Sequence, residues 1–192
     1  MKHLPALILA LMILFSYQVA GAAAQPLPLF EAEELEFSLC DSLMIFDGIL
    51  VFSNPHAQNI RQAIYFPIPH DSIQLAPEQI QVKDTYNQQD PEYHSDESGL
   101  WFVLDMDAES VKEIRIRYQQ KLKRKRARYI LLTANTWPKA LGYAAYTIHL
   151  PEAAAITHYP FAKEQIIHQE EASYRWEFYD YRPAEDFLIE WE

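Results

Sequence analysis

From residue 31 onward the chain alternates apolar and polar positions with a period of two. Leu35, Phe37 and Leu39 alternate with Glu34, Glu36 and Ser38, which puts apolar side chains on one face of a strand and charges on the other. Residues 43–53 are more continuously apolar, the pattern of a strand covered on both faces, and Asn54-Pro55 ends them. The run Ala63 to Phe66 stops at Pro67-Ile68-Pro69, since proline lacks the N–H that a central strand donates. Shorter alternations follow at Ile73/Leu75 and Ile80/Val82. Asp84 to Gly99 is polar and reads as a long loop.

Strand character returns at Leu100 to Met106, at Ile114/Ile116/Tyr118 and at Tyr129 to Thr133. It resumes at Tyr146/Ile148/Leu150, at Tyr174/Trp176/Phe178 and at Phe187/Ile189/Trp191, with a short helix predicted only at Glu152 to Ile156. Roughly nine or ten strands separated by frequent turn signals predict an all-β fold, an antiparallel β-sandwich of immunoglobulin-like or related type. Residues 31–192 form that domain; an alternative division has two β halves meeting near residues 107–112.

Ahead of it, Lys2 and His3 precede a ten-residue apolar run, Ala6 to Phe15, and then the small residues Ala20-Gly21-Ala22-Ala23-Ala24. This order is that of a Sec-type signal peptide over residues 1–24, cut after Ala24 or Ala22. The run is too short for a membrane span, which needs about 20 apolar residues. The expected location is therefore periplasmic or secreted, with a Pro-rich leader at residues 25–30 and no transmembrane segment in the mature chain. Cys40 is the sole cysteine, so no intrachain disulfide forms, and packing of 10 Phe, 12 Tyr and 4 Trp has to stabilise the fold. Removing Lys2 with the signal changes the net charge from −11 to −12. An acidic body of this kind disfavours nucleic acid as a partner.

One segment opposes that charge. Lys121, Lys123, Arg124, Lys125, Arg126 and Arg128 lie within eight residues between two predicted strands. They form either a solvated hairpin tip, paired with acidic runs such as Glu31 to Glu36, or a docking patch for an envelope protein or an anionic glycolipid. The acidic loop with Asp84, Asp90, Glu92, Asp96 and Glu97, followed by Asp105 and Asp107, lacks the spacing of a calcium loop. His56, His70, His94, His149, His158 and His168 show no paired-ligand spacing, so neither metal nor cofactor is expected. No serine sits in a nucleophile elbow, Cys40 ends an alternating strand, and Asp180 with Asp186 is the carboxylate pair a glycosidase could use. Trp101, Trp137, Trp176 and Tyr143 are the aromatics to inspect for sugar stacking; Trp137 stands out because Thr136-Trp137-Pro138 falls in a predicted loop.

Phe52-Ser53-Asn54-Pro55 with Tyr65-Phe66-Pro67-Ile68-Pro69, and Trp176 to Pro183 running to Asp186-Phe187, resemble exported bacterial β-sandwich domains of unknown function. The resemblance implies a fold and a compartment and carries over no site residue. The functional expectation is a non-catalytic binding or scaffolding protein of the cell envelope, acting through strand edges, loops or the basic segment. Two alternatives stand beside it: a carbohydrate-binding module using exposed aromatics, and a hydrolase whose site is assembled only by folding.

Overall fold

The computed structural model describes residues 26–87, 90–96, 98–170 and 172–192, so the expected signal peptide lies outside the described residues. The fold is all-β. Its strands are β1 (Leu29–Cys40), β2 (Leu43–Asn54), β3 (Ile60–Pro67), β4 (Gln74–Asp84), β5 (Tyr93–Asp96), β6 (Gly99–Met106) and β7 (Ser110–Leu122). They continue with β8 (Arg126–Tyr129), β9 (Leu141–His149), β10 (Ile156–His158), β11 (His168–Glu170), β12 (Ser173–Tyr181) and β13 (Phe187–Trp191). Short 3-10 turns cover Leu132–Thr136 and Lys163–Gln165. Among the described residues, no helix is long and apolar enough to cross a membrane.

A seven-stranded sheet has the order β11-β12-β9-β1-β2-β7-β4, and two smaller sheets have the orders β10-β13-β8 and β3-β6-β5. The large sheet is mixed, because β1 pairs antiparallel with β2 on one side and parallel with β9 on the other. This corrects the wholly antiparallel arrangement read from the sequence. A parallel pair needs a long connection between its strands, and the whole segment from β2 to β8 supplies it. Strands from both sides of residues 107–112 interleave in this one sheet; residues 107–109 form the turn between β6 and β7, and residues 110–112 open β7.

Alternation decides which side chains meet. Leu35, Phe37 and Leu39 of β1, Ile114, Ile116 and Tyr118 of β7, and Tyr146 and Ile148 of β9 are buried on the inner face of the large sheet. On the outer face, Asp47 receives both Arg115 (2.7 Å) and Arg117 (3.1 Å) from the neighbouring strand. Glu36 meets His149 there at 2.9 Å. These pairs are partly solvated, so each contributes little to stability, but they fix which face is wet. β2 is covered on one face only, since Ile45 is exposed and its other outward residues are exposed or half-buried.

The inner face packs against both smaller sheets. Phe46 stacks on Tyr118 within the large sheet (4.6 Å between centroids), on Tyr129 of β8 (5.2 Å), and lies 5.9 Å from Phe66 of β3. Phe37 stacks on Phe187 of β13 at 4.4 Å. Gly48 is required two residues beyond Phe46, because a Cβ there would stand 2.6 Å from the Phe46 ring. Two buried glutamines join the sheets with polar contacts. Gln74 clips the β8 backbone by accepting from the Arg128 N–H (2.9 Å) and donating to the Arg128 carbonyl (3.0 Å). It also donates to Gln120, whose own amide donates to the carbonyls of Pro69 and Leu75 at 2.7 Å.

Two local expectations are corrected. The polar stretch after Asp84 is not all loop, because Tyr93–Asp96 pairs with β6 as an exposed edge strand. Glu152 to Ile156 is not helical: Ala155 exchanges two backbone hydrogen bonds with Glu192, and Ile156 opens β10 against Trp191. The pull of a free strand edge outweighs the local helix propensity of Glu-Ala-Ala-Ala. Both edges of the large sheet are blunted, by the three-residue β11 and by β4, which carries Pro77, two register shifts and a left-handed Gln79.

Truncation of Phe46 removes a ring that touches all three sheets, so Phe46→Ala is expected to cost ~3–5 kcal/mol. Urea unfolding at a fixed pH measures it; a cost below about 1.5 kcal/mol, the level of a volume-conserving swap, would show that the sheets close without this ring.

Candidate functional site

The aromatic packing fills the middle of the molecule but not its end. Between β1, β2, β3 and the segment from β8 to Pro138 lies a cleft of about 440 Å³. Phe30, Phe52, Ile64, Tyr129, Leu131 and Trp137 supply most of its apolar wall, and Leu27 and Pro28 of the leader reach its rim. Phe30, Phe52 and Trp137 form one cluster, with centroids 5.1 to 5.7 Å apart.

One lining group is ionisable in the ordinary range. Glu33 follows the inward parity of Leu35, Phe37 and Leu39, and it faces Leu50 across the β1–β2 pair. A register shift between Phe30 and Ala32 brings Phe30 inward as well, opposite Phe52. Such a bulge inserts one residue and reverses the parity on either side of it. The Glu33 side chain is buried at 3% exposure, and the Tyr146 hydroxyl donates to its Oε1. Burial pushes its pKa up from 4.5 to about 7, against the opposing pull of the Tyr146 hydrogen bond. Burial likewise raises the Tyr146, Tyr129 and Tyr181 phenols, and the nearby Glu33 charge raises them further.

The far wall hangs on the loop before β13. Asp186 accepts hydrogen bonds from the backbone N–H groups of Leu131 and Leu132. Asn135 donates to the Pro183 carbonyl (2.8 Å) and Arg182 to the Pro138 carbonyl (3.2 Å). At the rim, a ring nitrogen of His56 lies 3.3 Å from the Leu27 carbonyl.

Trp137, singled out in the sequence, belongs to this site, though as a half-buried wall and not as a free-standing ring. The basic segment lies elsewhere. Residues 123–125 turn the chain from the large sheet into the sheet of β13, so they form a crossover and not a hairpin tip. Most of its cations are engaged: Lys121 with Glu78, Lys125 with Asp41, Arg126 with Glu190 and Arg128 with Asp71, at 2.9 to 3.1 Å. Lys123 donates to the Asp71 carbonyl, and Arg124 is exposed at the tip. None of these partners is in the run Glu31 to Glu36.

Other sequence candidates disperse. Asp84 is held as a carboxylate by Lys112 and by the N–H groups of Tyr86 and Asn87. Asp186 is occupied in capping, and Asp180 sits in left-handed backbone. Trp176 is fully buried. Cys40 is exposed, since the alternation that carries Leu39 inward carries Cys40 outward at the turn into β2. Among the described residues no group of three His, Cys, Asp or Glu side chains is placed to hold a metal ion. The residue that sequence reasoning missed is Glu33. Its parity with Leu35 was the available signal, and the three neighbouring glutamates, Glu31, Glu34 and Glu36, obscured it.

No protein-family model and no curated protein matches the chain. Among solved structures, a protein proposed to bind nutrients in Legionella pneumophila is similar, with a TM-score of 0.60 and 12% identity over 87% of this chain and 67% of its own. An M1 zinc metallopeptidase from Deinococcus radiodurans overlaps with a TM-score of 0.45 and 10% identity, over 85% of this chain and 42% of the enzyme. Leukotriene A4 hydrolase from Saccharomyces cerevisiae does so at 0.48 and 8%, over 85% and 29%. The chain thus spans less than half of either enzyme. At 12% identity the likeness to the Legionella pneumophila protein is one of fold.

The carboxyl of Glu33 ties stability to pH. Its folded pKa lies above the unfolded value, so its contribution is full below about pH 4.5 and is lost as pH rises to about 7. The loss is on the order of 3 kcal/mol. Glu33→Gln is expected to flatten this slope and to be the more stable protein at about pH 8 by a similar amount. Urea unfolding of both proteins across that range measures the difference; parallel curves would mean that Glu33 titrates normally.

Proposed function

We propose that the protein is an exported, non-catalytic binding protein of the cell envelope, built as a β-sandwich, that holds a small and largely apolar ligand in the cleft beside Trp137. The observation that carries this reading is the cleft itself: aromatic and aliphatic walls around a single buried acid, the usual composition of a small-molecule site. Its lining includes no histidine and no serine. The signal-like N-terminus supports export, and the resemblance to exported β-sandwich domains agrees with it. The structural neighbour from Legionella pneumophila, described as a nutrient binder, is in keeping with a binding role.

The cations of the basic segment are shared with Glu78, Asp41, Glu190 and Asp71, so the segment offers a partner less net positive charge than its sequence suggests. A second reading rests on the exposed face of the sheet of β3, β6 and β5, which shares Tyr65 with the cleft lining. Tyr65, Trp101 and His94 stand side by side across β3, β6 and β5. Tyr65 and Trp101 are exposed, with centroids 4.7 Å apart, and His94 lies 6.4 Å from Trp101 with the two rings nearly parallel. The Tyr65 hydroxyl donates to the Ser98 carbonyl, which fixes the ring. A row of this kind can stack on the apolar faces of sugars and favours the carbohydrate-binding alternative at Trp101, not at Trp137.

The two readings separate with paired variants. The neutral fluorophore N-phenyl-1-naphthylamine is expected to brighten in the cleft, and Trp137→Ala to weaken its binding about tenfold while Trp101→Ala leaves it unchanged. An unchanged titration with Trp137→Ala places the probe elsewhere and sinks the cleft reading. Co-sedimentation with insoluble polysaccharide that depends on Trp101 and not on Trp137 would establish the second reading.

A further inference from the structure

Resting on the reading of the cleft as a binding site, we propose that the ligand carries a cationic amine and that Glu33 receives it as a carboxylate. A carboxylate has room for about four hydrogen bonds, and the described residues supply one, from Tyr146 to Oε1. The cleft lining includes no lysine, arginine or histidine. The titratable groups that face Glu33 are Tyr146 from β9, Tyr129 from β8 and Tyr181 from β12, all phenols that burial keeps neutral. A buried acid without a cation is normally paired or replaced, because burying a lone charge costs several kcal/mol. Here the missing partner is of one sign.

The walls suit the same ligand. Faces of Phe, Tyr and Trp attract ammonium groups when water is excluded, and Tyr129 and Trp137 stand in the lining with Phe30 and Phe52. The chain's net charge of −11 raises the local concentration of cations around the cleft. A neutral ligand would leave Glu33 protonated and gain a single ordinary hydrogen bond. An ammonium ligand exchanges with the carboxyl proton: the acid O–H bond breaks, the proton leaves to solvent, and the ammonium N–H groups take its place on the carboxylate. No net charge enters the cleft in that exchange. Tyr146 keeps the accepting oxygen oriented and is a positioning residue.

The test compares 2-phenylethylamine with 2-phenylethanol, which share a ring and a chain length. Calorimetric titration of the full mature protein at about pH 8 is expected to show the amine at least about tenfold tighter. Below about pH 7 the amine's affinity should fall by up to about tenfold per pH unit, and buffers of different ionisation enthalpy should report release of close to one proton per amine bound. Glu33→Gln should abolish the amine's advantage and its pH dependence, whereas Glu34→Gln, on the opposite face, should leave both in place. Equal or tighter binding of the alcohol, with no proton released, overturns the amine assignment and leaves the cleft a neutral apolar site. Failure of both compounds and of the naphthylamine probe overturns the assignment together with the cleft reading.

Discussion

Phe46 is the side chain on which closure of the molecule depends. Its ring meets Phe37 and Tyr118 in its own sheet, Tyr129 in the sheet of β8, and Phe66 in the sheet of β3. No disulfide supports that junction, since the chain has one cysteine, so contact area replaces the covalent staples of small disulfide-rich domains. The demand reaches back into the backbone: the ring occupies the space above residue 48, and a residue with a Cβ cannot follow there. The centre is thereby filled, and unfilled volume is left at the end where β1 and β2 begin to diverge from the wall built by residues 131–138.

The two kinds of buried polar side chain behave oppositely. Gln74 and Gln120 have their amides consumed by backbone groups and by each other, so they bind sheet to sheet and present nothing to a ligand. Glu33 has one partner. Satisfied polar groups in an interior specify a single arrangement of the chain, and an incompletely satisfied one retains capacity for something else. Both sit in the core by the same alternation that buries the aromatic residues, which explains how a single strand can serve packing and chemistry at once.

Much of the fold was legible in the sequence. The alternations at Leu35 to Leu39, Ile114 to Tyr118 and Trp176 to Phe178 became strands with the expected inward faces, apart from Phe178, which lies partly covered among Phe161 and Tyr181. What failed was decided by distant chain. β10 exists because residues 155 and 192 meet, and β5 because β6 offers an edge. The site was less legible for a related reason. Period two carries Glu33 inward, but Glu31, Glu34 and Glu36 around it make the segment read as a solvated acidic face, and the bulge that brings Phe30 beside it leaves no mark in the residue pattern. The partners of the basic segment, from Asp41 to Glu190, are equally remote from it in the chain. Trp137 was found because a tryptophan in a loop stands out without any knowledge of contacts.

The wall that carries Trp137 is suspended from residues 182–186, through Asp186, Pro183 and Arg182. Those residues leave the ribosome long after Phe30 and Glu33 of the opposite wall. The parallel pairing of β1 with β9 has the same property, since its partners are separated by more than half the chain. Contacts of such span form late and slowly. The two walls of the cleft are therefore joined only by distant chain: a chain that stops before residue 182 can own every residue of the carboxyl-bearing wall and lack the contacts that hold the other.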